Sequence, residues 1–200
     1  AINAALDMSG TTTGQLNAGG ALAVNAGLLV NSGSWLASGS SVSLSGVNGI
    51  VNAGVVQSAG NLTLSSSAGV ITNGGALVAG QDLTLSGTTN NIAGAILHAE
   101  RDLTVNGAGT NAGTIEALRN VVLQGSNFDN STGVIQANNN FSANLSGTLT
   151  NVAGTIAAQK DVLIQAGTVN NDRAAPVTVS SSFTSNVENY DLLNSIYLGT

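Results

Sequence analysis

The sequence predicts an all-β chain: a right-handed parallel β-helix, or β-solenoid, of about eight rungs of about 20 residues. Three observations point there. Apolar residues recur in columns with a period near 20. Within each rung they alternate with polar residues over short runs, as on a strand with one buried face. Charged residues make up only 7% of the chain against 42% hydrophobic, and there are 26 glycines. Helices solvate their outer faces with Lys and Glu, and a globular domain averages about 25% charged residues, so this composition argues for strands joined by tight turns.

The repeat is clearest between Leu97 and Asn171, where the lines beginning at Leu97, Ile115, Ile135 and Ile156 each read apolar, any, Ala, a polar corner, then apolar-any-apolar. Extended over the chain, the first interior column is Leu16, Leu36, Val56, Leu77, Leu97, Ile115, Ile135 and Ile156. The second is Leu22, Val42, Leu62, Leu83, Leu103, Val121, Phe141 and Val162. A third follows two residues later, from Val24 to Ile164. Ala23, Ser43, Thr63, Thr84 and Thr104 lie between the second and third columns, so the strand period of two turns them outward. A column of small residues, Ala18, Ser38, Ser58, Ala79, Ala99, Ala117, Ala137 and Ala158, fits inside beside a corner.

Turn formers precede the second column at Ser41, Asn61, Asp82, Asp102, Asn120, Asn140 and Asp161, where each is expected to bond to its own backbone. Each rung closes with an asparagine: Asn31, Asn52, Asn73, Asn91, Asn111, Asn130, Asn151 and Asn171. Stacked amides of this kind can bond to one another along the axis. Two residues earlier an apolar residue is usual, with Thr89 and Gly109 as departures. Each rung thus holds three short strands, parallel to those above and below. Right-handedness is expected because parallel crossover connections overwhelmingly are. Eight rungs about 4.8 Å apart give a rod of roughly 40 Å.

The organisation expected is a partial rung over 1–13, the repeat domain over 14–171, and a cap or exit segment over 172–200. The last segment holds the single proline, Pro176, and both tyrosines. The chain opens on Ala1 without an initiator Met or a charged-then-apolar leader, and is read as an excised or processed piece.

Net charge is −6 with four Lys and Arg, so no basic face exists to neutralise nucleic-acid phosphates or to attract an anionic membrane. No apolar run approaches the roughly 18 residues of a membrane-spanning helix. Cysteine is absent, which removes disulfides, thiolate chemistry and Cys-based zinc sites. That fits a cytosolic protein, and equally a secreted one that must cross a pore unfolded.

The rungs Ala112–Ala117 with Asn120–Leu123, Ala153–Ala158 with Asp161–Ile164, and Gly80–Gly87 resemble filamentous haemagglutinin repeats. The resemblance spans about residues 14–171. It implies a large secreted bacterial exoprotein of the two-partner secretion type, exported through a dedicated outer-membrane transporter and serving as an adhesin toward a host or bacterial receptor or glycan. The same shaft serves as the stalk of contact-dependent growth-inhibition toxins. The family's amino-terminal secretion domain carries Asn-Pro motifs, and none occurs here, so the segment reads as shaft.

Chemistry-bearing residues are few. His98, the single histidine, stands one rung from Glu116, with Gln136 beyond. The pair could assist acid–base chemistry, but no nucleophile accompanies it, and one imidazole makes a poor zinc site. Glu100, Arg101, Asp102 and Arg119 occupy a corner, where solvated charges discourage lateral aggregation. Trp35, next to Leu36, is expected to face outward. No catalytic, cofactor or metal residue is assigned, and no cofactor is expected. The function expected is a structural and adhesive shaft; a polysaccharide-processing β-helix enzyme is the alternative from another class.

Overall fold

A computed structural model describes residues 2–3, 14–37 and 40–174. The described residues form parallel strands and no helix. The first wall is an eight-stranded sheet: Gln15–Ala18, Ser34–Ala37, Val55–Ser58, Ala76–Ala79, Ile96–Ala99, Thr114–Ala117, Val134–Ala137 and Thr155–Ala158. A 13-stranded sheet supplies the second and third walls. Its long strands Leu62–Asn73, Leu83–Asn91, Phe141–Val152 and Val162–Asp172 run across the corner between them. The chain is a β-solenoid of about eight stacked coils, as its periodicity predicts. The tail from residue 175, with Pro176, lies outside the described residues.

The register corrects one rung of the first column. Leu16 pairs with Trp35 and Trp35 with Val56, whereas Leu36 pairs with Asn17 and Gln57. The interior column is therefore Leu16, Trp35, Val56, Leu77, Leu97, Ile115, Ile135 and Ile156. Register is counted from the asparagine that closes each rung. Trp35 lies four residues after Asn31, as Val56 follows Asn52 and Leu77 follows Asn73. A one-residue slip would turn every side chain to the other face. The surplus residue goes into the next corner, since Ala37 to Val42 takes five positions where Ser58 to Leu62 takes four. Ala37 accordingly takes the small-residue position expected of Ser38, which lies outside the described residues.

Trp35 is thus an interior residue, 1% exposed, not an outward one. Its indole Nε1–H has no acceptor among the described residues. An unpaired buried donor costs about 1–3 kcal/mol, which burial of so large a ring offsets.

The second column is in register from Leu22 to Val162. Leu22, Val42, Leu62, Leu83, Leu103, Val121 and Phe141 are buried. Val162 is 51% exposed because it belongs to the last described coil. Leu16 and Ile156, at the two ends of the first column, are likewise only partly buried. In the third wall Leu29, Ile50, Ile71, Phe128 and Leu149 face the core. Gly109 departs from that pattern because Phe128 fills its space: a Cβ there would lie 2.6 Å from Phe128 Cε2.

The corner between the second and third walls varies in length. From Leu85 to Thr89 and from Val105 to Gly109 it takes four positions; from Leu64 to Ile71 it takes seven, and from Ala143 to Leu149 six. The two four-position corners, and the five-position corner from Leu123 to Phe128, turn on stacked glycines in left-handed conformation, Gly87, Gly107 and Gly125, with φ of 126°, 140° and 149°. A Cβ on Gly107 would sit 2.3 Å from the Gly87 carbonyl oxygen. Gly107→Ala is expected to cost about 2 kcal/mol or more, combining the strained φ with that clash. Gly94→Ala, at φ 81° with no atom within 4 Å, should cost clearly less. Thermal melts of the two variants check the difference.

Candidate functional site

Inside the third wall the asparagines form one continuous ladder. Asn31 Nδ2 donates to Asn52 Oδ1 at 2.7 Å, and the pattern repeats through Asn73, Asn91, Asn111, Asn130, Asn151 and Asn171 at 2.7–2.9 Å. The same amide nitrogens also donate to the first wall, to the carbonyls of Val55, Ala76, Ile96, Thr114, Val134 and Thr155. These amides brace the corner where the third wall turns back to the first. From Asn31 to Asn151 they are buried, and Asn171 is exposed on the last coil. Because all point the same way, each bond polarises the next.

A second ladder runs along the opposite corner, and here the expectation from sequence is corrected. Five of the seven turn formers, Asn61 to Asn140, accept from the backbone N–H one rung onward instead of bonding to their own backbone. Asn61 Oδ1 accepts from Asp82 N, Asp82 from Asp102 N, Asp102 from Asn120 N, Asn120 from Asn140 N, and Asn140 from Asp161 N, all at 3.2–3.3 Å. Parallel stacking brings the next rung's donor closer than a local turn would. Asp and Asn serve alike because only an acceptor is needed.

Charge gathers on this corner. Arg101 grips Asp82 through two bonds, Nε to Oδ1 at 3.0 Å and Nη2 to Oδ2 at 2.5 Å, and Arg119 Nη2 lies 3.6 Å from Asp102. The Arg101 guanidinium beside it holds the Asp82 carboxyl below the usual carboxylate range, with the Asp102 N–H assisting and partial burial opposing. A lowered folded-state pKa adds stability that is present above the ordinary carboxylate pKa and is lost as pH falls through the folded value. Acid titration should therefore show Asp82→Asn losing less stability than wild type below about pH 4. His98 does stack on Glu116, with Nδ1 3.7 Å from Glu116 Oε2 and Nε2 3.3 Å from Glu100 Oε1. Its two nitrogens face different carboxylates, so the three groups do not converge on one point. Among the described residues no group of three or more His, Cys, Asp or Glu could hold a metal ion.

A groove of about 700 Å³ runs along the corner where the second wall passes into the third. It exists because the short corners at Thr88–Thr89 and Ala108–Gly109 sit between longer ones. Two outward columns line it, one of Val70, Thr88, Ala108, Asn127 and Thr148, the other of Asn90, Thr110, Asp129 and Thr150. Thr110 Oγ1 donates to Asn90 Oδ1 at 2.8 Å, and Thr148 N donates to Asn127 Oδ1 at 2.7 Å. Asp129 Oδ1 accepts from Ser131 N at 2.8 Å. None of these residues stood out in the sequence; the signal available was the change in corner length.

A solenoid whose interior is filled by stacked apolar side chains and asparagine amides, with its charged groups on the outside, defines a structural repeat module. A model of the haemagglutinin repeat family matches residues 1–67, 50–125 and 103–182. The chain belongs to that family, whose members are structural, adhesin-type repeats. No curated protein and no solved structure matches the chain.

Proposed function

We propose that the chain is part of the adhesive shaft of a large secreted or surface-exposed bacterial protein. The observation that carries this reading is the pairing of the haemagglutinin repeat match with a solenoid whose interior is wholly given to stacking. Such a rod gains length by adding coils, each resting only on its neighbours. Its work is to hold surfaces away from a cell and present them to a host cell or a neighbouring bacterium. Export through an outer-membrane two-partner secretion transporter suits a chain without cysteine, since no crosslinked loop would jam a pore. Fluorescent beads coupled to the chain and applied to epithelial and bacterial cells test the reading. Saturable adherence that is competed by the free chain is expected. Adherence no greater than that of albumin-coated beads would overturn it.

A further inference from the structure

We propose that residues 177–194 wind once more around the axis and dock on the open end of the solenoid as a ninth coil. The surface they cover is unfinished. Val162 and Val169 on the last described coil are 51% and 50% exposed, whereas Phe141 and Leu149, their partners one coil earlier, are buried. A recess of about 290 Å³ opens on this end, floored by Leu149, Ile156, Val162, Ile164 and Val169. Among the described residues, strands Thr155–Ala158 and Val162–Asp172 are paired along one edge only. Free strand edges and an apolar end face are the two features a stacked array has to cover.

Register names the occupant. Val177-Thr178-Val179-Ser180-Ser181-Ser182-Phe183-Thr184-Ser185 follows, position for position, the pattern of Ile135-Gln136-Ala137-Asn138-Asn139-Asn140-Phe141-Ser142-Ala143. Val177, Phe183 and Ser185 lie 21 residues after Ile156, Val162 and Ile164, the interval that separates those three from Ile135, Phe141 and Ala143. Six positions lead from Asn171 to Val177, as six lead from Asn91 to Leu97. Leu192-Leu193-Asn194 then closes the coil as Leu29-Val30-Asn31 does. The corner from Ser185 to Leu192 takes seven positions, like the one from Leu64 to Ile71, and holds Glu188 and Asp191 away from the core. The haemagglutinin repeat match itself runs on to residue 182. Pro176 falls on the first strand position, where Val134 and Thr155 each give one backbone N–H to an earlier coil. A proline there forfeits that single bond and suits the start of a strand. Phe141 N donates to the Asp161 carbonyl and Val121 N to that of Asn140, so in this register Val162 N donates to the Ser182 carbonyl. Asn194 likewise extends the amide ladder beyond Asn171. Val177 is tethered six residues from Asn171, so it meets this end at high effective concentration, ahead of a second copy of the chain.

The test is amide hydrogen exchange on the full chain, followed by NMR at two protein concentrations about tenfold apart. The Val162 N–H should exchange within about tenfold of the Phe141 N–H at both concentrations. Phe183→Asp should speed exchange at Val162 by about a hundredfold or more and leave Val121 within about threefold. Thr184→Asp, at the outward position, should leave both within about threefold. Exchange at Val162 near the rate of an unstructured chain would overturn the ninth coil. Protection that appears only at the higher concentration would overturn it in favour of a second copy, and protection that survives Phe183→Asp would show that another segment covers the end. Should Phe183→Asp lose its cooperative melt, the double variant Leu163→Cys, Thr184→Cys is oxidised in its place. A rapid intramolecular crosslink is expected, because the two positions are one period apart on the outer face; no crosslink, or crosslinked dimers alone, would overturn the assignment.

Discussion

Leu103→Asp is expected to unfold the rod or fray it through the coils on either side, whereas Thr104→Asp, one residue on, should melt close to wild type. Leu103 is 0% exposed and stacked between Leu83 and Val121. A carboxylate there has no counter-charge and no hydrogen-bond donor aimed at it. The penalty of several kcal/mol is comparable to the roughly 5–15 kcal/mol total stability of a typical domain. Thr104 points away from the core, between Thr84 and Val122, so its carboxylate stays hydrated. Thermal melts by circular dichroism separate the two outcomes, and equal damage from both would mean that inward and outward faces have been exchanged.

Asn111→Ala is expected to destabilise the solenoid by about 3–5 kcal/mol, far more than its polar character alone would suggest. Asn111 accepts from Asn91 Nδ2 and donates to Asn130 Oδ1 and the Val134 carbonyl. Truncation leaves partners on both neighbouring rungs inside the protein. Each unsatisfied buried group costs about 1–3 kcal/mol, and loss of polarisation along the ladder adds to it. Thr110→Ala, beside it but outward, removes one exposed bond to Asn90 and should cost less than about 1 kcal/mol. Chemical denaturation of the two variants gives the comparison.

The architecture was legible because a solenoid writes its fold into its period. Columns such as Leu83, Leu103 and Val121, and the eight asparagines, could be aligned by eye, and each sits over its neighbour. In one rung the aliphatic Leu36 looks like the interior residue, and the structure gives that place to Trp35. Residue type misled there, and the count from Asn31 did not. The corner ladder was misread because an Asp or Asn before a strand looks the same whether it serves its own turn or the next rung. Only stacking places the Asp102 N–H over Asp82. The groove was invisible for another reason. Its lining consists of ordinary outward Thr, Asn and Asp, and what makes it concave is the difference in corner length between Leu64–Ile71 and Leu85–Thr89. Repeat alignment by eye absorbs such differences as gaps, although each gap is a change in surface shape.

The claim beneath all of this is that residues about one period apart lie directly over one another on parallel strands. The chain contains no cysteine, so an introduced pair reports without interference. Thr84 and Thr104 are register partners on the outer face of the second wall. Their Cα separation should approximate the strand spacing of about 4.8 Å, within the range of about 4.4–6.8 Å that a disulfide bridges. Mild oxidation of the double variant Thr84→Cys, Thr104→Cys should give a rapid intramolecular crosslink, seen as a mobility shift on a non-reducing gel. The pair Thr84→Cys, Val105→Cys, whose second member faces the core, should stay reduced. Failure of the first pair to close while the protein remains folded, or closure of both at the same rate, would contradict the stacked-coil structure.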